Sequence, residues 1–504
     1  MAQTIAIIGA GVAGMTAAIH ARASGFEVDV YERHTIAGGL CTSWRIDGFS
    51  FDGCVEFFVG SGPASPFYAL WREVGVVPRA FVDREIYTTT TFPNGQTVLL
   101  YADPDRLSAH FDTISPADRA VTAELCALVR LMRTAVYPVG IAPEVMTWRD
   151  NLAAMLAIAP TWRLWFQATR VTLRAFAARF QSPALRAALT NALPADLPLL
   201  ALVQVLGDLA NHAAGCPIGG SLPIAQAMAR RCRALGVRLH FGAEVERIVV
   251  EGGHAVGLQL RDGEQVAADV VVAAGDLRFT LDRLLGGVYA SPAHDVLFAR
   301  PLVPAVCLVS FGLRGPPPPT ADAVGHRHVL AEPVDIEGHH VEVLAWKSFA
   351  HDPGVAAAPR TVVTVTVDSP HERWNPIAAD RVAYDAARAR FGAGVRALMG
   401  RVIPGFDQLV ETVDVATPVT VERYTRNHGG HYMTFLPDVG KPPSAPPRQI
   451  PGVAGLYLAG MWVQPPGGLP NALRSGREVV QVVCRDRGVP FTAAQPAPPH
   501  ERPL

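Results

Sequence analysis

The first forty residues alternate between short apolar runs and glycine turns, a pattern that predicts a β-α-β unit. Residues 5–8 form an apolar run that is typical of a buried parallel strand. Residues 15–23 are rich in helix formers and end before Gly25, which occupies a position expected for a helix C-cap. Residues 27–31 supply a second strand, and Glu32 follows directly. The pattern therefore places a carboxylate at the end of the second strand.

The turn before the predicted helix has the glycine spacing of a dinucleotide site. It follows the G-x-G-x-x-G pattern and comprises Gly9, Gly11, Val12, Ala13 and Gly14. The first glycine allows a tight turn, the second leaves room for a pyrophosphate, and the third lets helix and strand pack closely. Glu32 can bind ribose hydroxyls and would repel a 2′-phosphate. The neighbouring Arg33 could bind that phosphate, so NADP stays an alternative ligand. The alternative is a purely structural β-turn-α unit.

The middle of the chain changes from strands to helices. Residues 85–91 and 97–101 predict a hairpin, and residues 103–214 predict a mainly helical region. Residues 119–134 and 162–180 have apolar positions at helical spacing with arginines on another side. The second of these helices could rest on a bilayer surface through its tryptophans and arginines, or could be an ordinary core-facing helix.

Two later regions of the chain again alternate between predicted strands and helices, as the first forty residues do. Residues 215–285 predict a helix over 222–235 between strands, and a strand over 268–274. The chain closes with a strand over 456–459 and a helix that begins near Asn471. Residues 286–444 lie between these two regions and predict three further strands, over 305–313, 341–348 and 361–368. They also predict one long helix over 378–400.

Composition and charge narrow the possible functions. The 504 residues are 49% hydrophobic, enough for two or three cores, and 44 Lys and Arg residues balance 45 Asp and Glu residues. No basic stripe interleaves with aromatic residues, which argues against nucleic-acid binding. The seven cysteines have neither C-x-x-C spacing nor a neighbouring histidine pair, so we predict no metal site. The chain shows no signal-peptide pattern and no long apolar run, so we expect a cytoplasmic protein without a membrane span.

A second glycine turn follows Glu32 and comprises Gly38, Gly39 and Leu40. Its spacing from the acid resembles the N-terminal fingerprint of the FAD-dependent amine oxidase and phytoene desaturase superfamily. Residues 48–58, GFSFDGCVEFF, resemble a segment of the carotenoid desaturases and isomerases, with Cys54 in place of a glycine. The resemblance implies that the backbone approaches FAD a second time, at the flavin end. We interpret Asp52 as structural, with a catalytic role as the alternative.

Three more segments resemble the same family in the same order. Residues 217–274 imply that Val245 lies against the FAD adenine. Residues 455–478 resemble the C-terminal FAD motif, in which a helix N-terminus points at the flavin ring. The flavin contacts that this motif implies are Gly460, Met461, Gly468, Leu469 and Pro470. Met461 stands where many flavoproteins carry an acidic residue.

Residues 417–432 resemble the segment that returns from the substrate domain toward the flavin. They supply the catalytic candidates His428, His431 and Tyr432, with Arg426 nearby. A histidine in a glycine loop is more often a surface or structural residue, which is the alternative for His428 and His431.

We therefore predict an α/β fold with a discontinuous, Rossmann-like FAD-binding domain and a second domain that holds substrate. The FAD-binding domain comprises residues 1–75, 215–285 and 445–490. The substrate domain has a mixed sheet and a helical, membrane-facing part at 103–214, and it comprises residues 76–214 and 286–444. Residues 491–504 are predicted to form a disordered, proline-rich tail.

The resemblance implies an FAD-dependent oxidoreductase that introduces carbon–carbon double bonds into an apolar isoprenoid, polyene or specialised metabolite. Hydride would pass to flavin N5, and oxygen or a quinone would accept the electrons. A cis-trans isomerase or saturase of the same family and an amine or amino-acid oxidase are the enzymatic alternatives. An inactive flavin-bound scaffold also stays open.

Overall fold

The computed structural model describes residues 2–76, 80–136, 139–317, 321–441 and 445–497. One part of it is a five-stranded sheet whose neighbouring strands are all parallel. In spatial order its strands are Arg238–Phe241, Glu27–Glu32, Thr4–Ile8, Val270–Ala273 and Leu456–Leu458. They come from distant parts of the chain, so the sheet forms only when the two ends of the chain come together.

Both faces of this sheet are covered, as a parallel sheet of apolar strands requires. Three helices pack on one face, and they are Val12–Ala23, Ser221–Ala234 and Leu469–Arg487. A three-stranded antiparallel sheet packs on the other, and its strands are Val245–Glu251, His254–Leu260 and Gln265–Ala267. The first and last helices are in close contact at Gly476, where an added Cβ would lie 2.3 Å from the carbonyl oxygen of Ala13.

The second large sheet has seven strands. In spatial order they are Val410–Ala416, Val306–Leu313, Thr361–Asp368, His339–Ser348, Ala323–Ile336, Ile86–Thr91 and Thr97–Tyr101. All neighbouring pairs are antiparallel except Ala323–Ile336 with Ile86–Thr91, so the sheet is mixed. The helix Arg381–Val402 covers its core. The predicted hairpin of residues 85–101 thus forms one edge of a larger sheet.

Two strands of this sheet were not predicted from the sequence. Ala323–Ile336 pairs with His339–Ser348 in two registers, with a shift between Val329 and Val334. This irregularity and Pro333 remove the alternation by which a strand is recognised. Val410–Ala416 lacks a clear alternation, because Val413 is on the exposed side while Thr412 and Asp414 are on the less exposed side.

A short hairpin connects the two sheets. Its strands are Ser43–Ile46 and Phe49–Asp52. The rings of Phe49 and Phe51 are fully buried with Phe349 and Val362, which belong to the second sheet and its following loop. An added Cβ at Gly312 would lie 2.6 Å from the Phe49 ring. This hairpin falls within residues 1–75, yet its apolar side chains are buried against the second sheet.

A layer of helices packs beside the second sheet around a core of its own. Its helices are Pro104–Ile114, Arg119–Arg133, Trp148–Ile158, Trp162–Ala168, Leu173–Ala177, Pro183–Thr190 and Leu199–Ala210. The single helix expected over residues 162–180 is therefore wrong. The Thr172 side chain accepts a hydrogen bond from the N–H of Ala175 and so starts a separate helix.

The remaining elements connect these layers. The further α-helices are Phe67–Glu73, Leu277–Phe279, Pro292–Phe298, Phe406–Leu409 and Pro418–Thr425, and the further strands are Phe58–Val59, Phe81–Val82 and Ala214–Pro217. No helix within the described ranges is long and apolar enough to cross a bilayer.

The end of the described chain is docked on the protein, which contradicts the disordered tail expected from residue 491 onward. Ala494 and Ala497 are buried. The N–H of Thr492 donates to the Ser24 hydroxyl (3.0 Å), and Arg231 donates to the carbonyl of Gln495 (2.6 Å). Small side chains and extended backbone allow this proline-rich segment to pack without regular structure. Residues 498–504 lie outside the described part of the chain.

Candidate functional site

A cavity of about 2390 Å³ joins the glycine turns of the parallel sheet to the second sheet and to the helical layer. The sequence-predicted cofactor residues that line it are Gly9, Gly11, Val12, Ala13, Glu32, Arg33, Gly38, Gly39, Leu40, Val245, Gly460, Met461, Gly468, Leu469 and Pro470. Of the catalytic candidates, Tyr432 lines the cavity. Residues that are hundreds of positions apart in the sequence thus share one wall.

The first glycine turn brings a helix N-terminus to the cavity. Gly9 has a φ of +97°, which favours glycine, and the N-cap residue Gly11 offers no side-chain cap to the helix Val12–Ala23. The free N–H groups of this first turn can therefore bind an anion. Gly14 does not line the cavity. It lies against the first glycine turn, where an added Cβ would lie 2.0 Å from the carbonyl oxygen of Gly9. Its role is close packing of the helix on the turn.

Glu32 is buried at the end of its strand and faces the first glycine turn. One carboxylate oxygen accepts a hydrogen bond from the N–H of Ala10 (2.9 Å), and the other accepts one from the N–H of His34 (2.8 Å). Arg33 pairs with Glu244 (3.4 Å) instead of projecting as a free cation. With Arg33 paired, this arrangement leaves the remaining lone pairs of Glu32 for ribose hydroxyls and disfavours a 2′-phosphate, which the carboxylate would repel.

The second glycine turn crosses the first one. The N–H of Gly38 donates to the carbonyl of Ala10 (2.9 Å), and Gly38 pairs with Gly11 as an isolated bridge. An added Cβ at Gly38 would lie 2.3 Å from the carbonyl oxygen of Cys41, so only glycine fits. Both glycine turns therefore line the same side of the cavity.

The C-terminal turn closes the other side of the cavity. Gly460, Gly467 and Gly468 all have positive φ values, and the helix Leu469–Arg487 starts at Gly468 without a side-chain cap. The Ser475 hydroxyl accepts a hydrogen bond from the N–H of Gly460 (2.9 Å) and so ties the turn to its own helix. This second free helix N-terminus favours a negatively charged group at the cavity wall.

Asp52 has a structural role. Its carboxylate accepts hydrogen bonds from the N–H groups of Cys54 (2.9 Å) and Val55 (3.0 Å), and from both the N–H and the hydroxyl of Ser221. The side chain therefore caps the helix Ser221–Ala234 and holds the loop that leads into Glu56.

The two histidine candidates do not line the cavity. Arg278 donates a hydrogen bond to Nε2 of His428 (3.2 Å), and Nδ1 of His431 donates to the carbonyl of Val303 (2.8 Å). Burial lowers the pKa of both imidazoles below the ordinary value. Each imidazole thus uses one ring nitrogen for a protein partner, and a role of either in catalysis stays a prediction.

A cluster of charged residues in the cavity wall was not identified from the sequence. Nζ of Lys347 lies 3.4 Å from Oε1 of Glu56, and Arg327 lies close by. Burial alone would raise the pKa of Glu56, but Lys347 and Arg327 lower it below its ordinary value. These three residues come from a loop and two strands, so no sequence motif unites them. The only usable signal was a lone lysine within the apolar run VEVLAWKSF.

The sequence profile of the flavin containing amine oxidoreductases matches residues 12–484. The chain therefore belongs to this family. Two curated relatives are similar over nearly their whole length. The zeta-carotene-forming phytoene desaturase of Myxococcus xanthus is 27% identical, and the alignment covers 95% of this chain and 93% of that protein. The neurosporene-forming phytoene desaturase of Rhodobacter capsulatus is 26% identical, with the same two coverages.

Solved structures show the same fold. A putrescine oxidase variant superposes with a TM-score of 0.62 at 16% identity, with 96% of this chain and 99% of that chain covered. An oxidoreductase of Methanosarcina mazei superposes with a TM-score of 0.57 at 17% identity, with coverages of 96% and 100%. The family match confirms the resemblance, the α/β fold class and the cofactor expected from the sequence. The protein is an FAD-dependent oxidoreductase.

Proposed function

We propose that the protein desaturates an apolar, isoprenoid or polyene substrate. The observation that carries this proposal is a single cavity that runs from the glycine turns into a chamber with mainly aliphatic walls. The similarity to phytoene desaturases over 95% of the chain supports the same reaction.

The residues around the glycine turns fit FAD, since a Cβ at Gly38 would collide with backbone and both uncapped helices open toward the cavity. In this proposal Glu32 binds the adenosine ribose, and the start of the helix Val12–Ala23 binds the pyrophosphate. Val245 packs against the adenine, and the N-terminus of the helix Leu469–Arg487 faces the flavin ring. The ranges 1–75, 215–285 and 445–490 then form the FAD-binding domain.

Bound FAD would supply hydride acceptance from carbon and electron transfer to oxygen or a quinone. The chain's own contribution is to orient the substrate and to exclude water. Leu193, Leu197 and Leu200 line the chamber from the helical layer, and Leu308 and Val343 line it from the second sheet. Apolar walls favour a hydrocarbon chain by about 25 cal/mol for each Å² of apolar surface removed from water.

Anaerobic mixing of the holoenzyme with polyenes and isoprenoids tests the proposal. We expect loss of the oxidised flavin absorbance and a product lighter by two hydrogens. An unchanged mass would favour the isomerase, a gain of two hydrogens the saturase, and peroxide release with amines the amine oxidase. No reaction with any member of these classes would contradict catalysis and favour the scaffold.

We also propose that two helices of the helical layer rest on a membrane surface. The helix Trp148–Ile158 buries no residue, and the exposed fractions of Trp148, Met155 and Leu156 are 71%, 67% and 65%. Phe166 on the following helix is also exposed, and the Arg170 guanidinium lies 3.9 Å from its ring centroid. Exposed aromatic and aliphatic side chains beside arginines are suited to an interface with anionic lipids.

Thr169, which directly follows the helix Trp162–Ala168, lines the cavity, so a substrate dissolved in the bilayer would have a short route to the chamber. Co-sedimentation with anionic vesicles should fall when Trp148 and Leu156 are changed to serine. Val382, which is also exposed but isolated on another helix, provides the control V382S. Equal sedimentation of all three proteins would contradict this surface.

A further inference from the structure

The cluster of Glu56, Lys347 and Arg327 is an unexpected feature of a chamber that holds a hydrocarbon. Charged groups lose hydration when they are buried, and they are retained where they bind another polar group. The Lys347 side chain is 11% exposed, whereas that of Glu56 is 39% exposed and faces the cavity. The ion pair is therefore open to whatever the cavity contains.

Arg327 has donor capacity that the protein does not use. Its Nε donates to the carbonyl of Asn191 (2.9 Å) and its Nη1 to the carbonyl of His326 (3.1 Å). Within the described ranges no carboxylate lies within 4 Å of its guanidinium, and Nη2 has no protein acceptor. Arginine offers five N–H donors in a planar fork that suits an oxygen-bearing ligand.

Two tyrosines add hydroxyl groups to the same part of the wall. Tyr432 is 37% exposed and lines the cavity, and its hydroxyl makes no hydrogen bond within the described part of the chain. The Tyr87 hydroxyl binds the carbonyl of Ala192 (3.3 Å). Burial is the main cause that raises the pKa of both phenols, and the nearby Glu56 carboxylate raises it further. Each phenol therefore remains a neutral donor.

The cluster also lies next to the predicted flavin end of the cavity. Met433 follows Tyr432, and its Cα is 3.7 Å from the position of an added Cβ at Gly467. Gly467 precedes the N-terminus of the helix Leu469–Arg487. A ligand group bound by the cluster is therefore near the glycine turn, whereas the aliphatic walls hold the rest of the molecule.

We infer that the substrate carries an oxygen-bearing end, a carboxylate or hydroxyl, which Lys347, Arg327 and Tyr432 bind while its isoprenoid chain fills the apolar chamber. The inference rests on the proposed function, since it names the substrate class of the same cavity. Two cations at this position also disfavour an ammonium group. Asp368 also lines the cavity, so the amine of the ligand series tests directly whether a carboxylate or the two cations dominate this wall.

A matched series of ligands tests the inference by binding to the oxidised holoenzyme. Farnesoic acid, farnesol, farnesylamine and farnesene share one carbon chain and differ at its end. Anaerobic titration followed by tryptophan fluorescence gives a Kd for each. We expect farnesoic acid or farnesol to bind at least tenfold more tightly than farnesene. Equal binding of farnesene, or tightest binding of farnesylamine, would overturn the inference.

Variants assign the effect to the cluster. K347M and R327M should each weaken binding of the oxygenated ligand about tenfold and leave farnesene unchanged, whereas K347R should retain most of the affinity. Arg174 lines the cavity but pairs with Asp196 at 2.8 Å, so R174M is the matched control and should bind like the wild type. If K347M does not retain FAD, R327M and the ligand ranking of the wild type still decide the outcome.

Bleaching of the flavin separates this inference from the proposed function. Discrimination by the oxygenated end without any bleaching would contradict desaturation and leave the recognition site standing. Bleaching by hydrocarbon polyenes without such discrimination would contradict only the recognition site.

Discussion

The carboxylate of Asp52 accepts hydrogen bonds from both the N–H (2.6 Å) and the hydroxyl (2.7 Å) of Ser221, 169 positions later in the chain. This contact joins the hairpin before Glu56 to the helix Ser221–Ala234. It therefore couples the charged wall of the cavity to the parallel sheet on which that helix packs.

Removal of the Asp52 charge should destabilise this junction. D52N replaces one of the two acceptor oxygens with an NH2 donor and removes the charge, so at least one of the three N–H groups and the hydroxyl loses its partner. We therefore expect the free energy of unfolding to fall by about 2 kcal/mol. Urea denaturation measures the change. Asp47, at the turn of the same hairpin, accepts one exposed hydrogen bond from Thr412, and D47N should change stability by less than about 0.5 kcal/mol. Equal effects of the two variants would contradict the capping role.

Glu32 should control affinity for FAD. E32A removes the proposed ribose acceptor and leaves the buried N–H of Ala10 without its partner, so we expect the Kd for FAD to rise at least tenfold. The increase of flavin fluorescence on dilution reports the released cofactor. Glu251 is exposed at the end of a hairpin strand away from this turn, and E251A serves as the control. Unchanged FAD retention in E32A would count against this cofactor position.

Asp276 should make stability depend on pH. Burial raises the pKa of this carboxyl group to about 6, although hydrogen bonds from the N–H groups of His428 and Phe279 act in the opposite direction. Because the folded state binds the proton more tightly, this contribution to stability is present at low pH and is lost as pH rises from about 4 to about 6. A shift of about two units corresponds to about 3 kcal/mol.

The variant D276N isolates this contribution. Urea unfolding between pH 4.5 and 7 should show wild-type stability falling by about 2 kcal/mol relative to D276N as pH rises, since part of the contribution is already lost at pH 4.5. Asp282 is exposed nearby, and D282N should follow the wild-type curve. Parallel curves for wild type and D276N would rule out Asp276 as the titrating group.

The docked end of the chain should contribute to stability. Removal of residues 491–504 exposes apolar surface around His20 and breaks the hydrogen bonds of Thr492, Gln495 and Ala494. We expect the free energy of unfolding to fall by about 3 kcal/mol, since each such bond contributes about 1 kcal/mol. Removal of residues 498–504 alone retains these contacts and is the control. Identical urea midpoints for the two truncations would show that the segment adds nothing.

The sequence by itself determined the β-α-β unit, both glycine turns and the family. These features depend on local backbone requirements, such as the tight turn at Gly9 and the close approach of helix and strand at Gly14. Local requirements leave a pattern of glycines and apolar residues that can be read at fixed spacing. The cofactor and the fold class follow from that pattern.

Only the tertiary structure decided the composition of the cavity wall. Arg327 and Lys347 lie on two consecutive paired strands of the second sheet, whereas Glu56 comes from a loop near the start of the chain, and no spacing along the chain records their meeting. The same holds for the strand Ala323–Ile336, whose register shift hides its alternation. It also holds for His428 and His431, whose partners come from other segments. Side-chain environment is a property of long-range packing, so the part of the site that selects substrate was not predictable from local pattern.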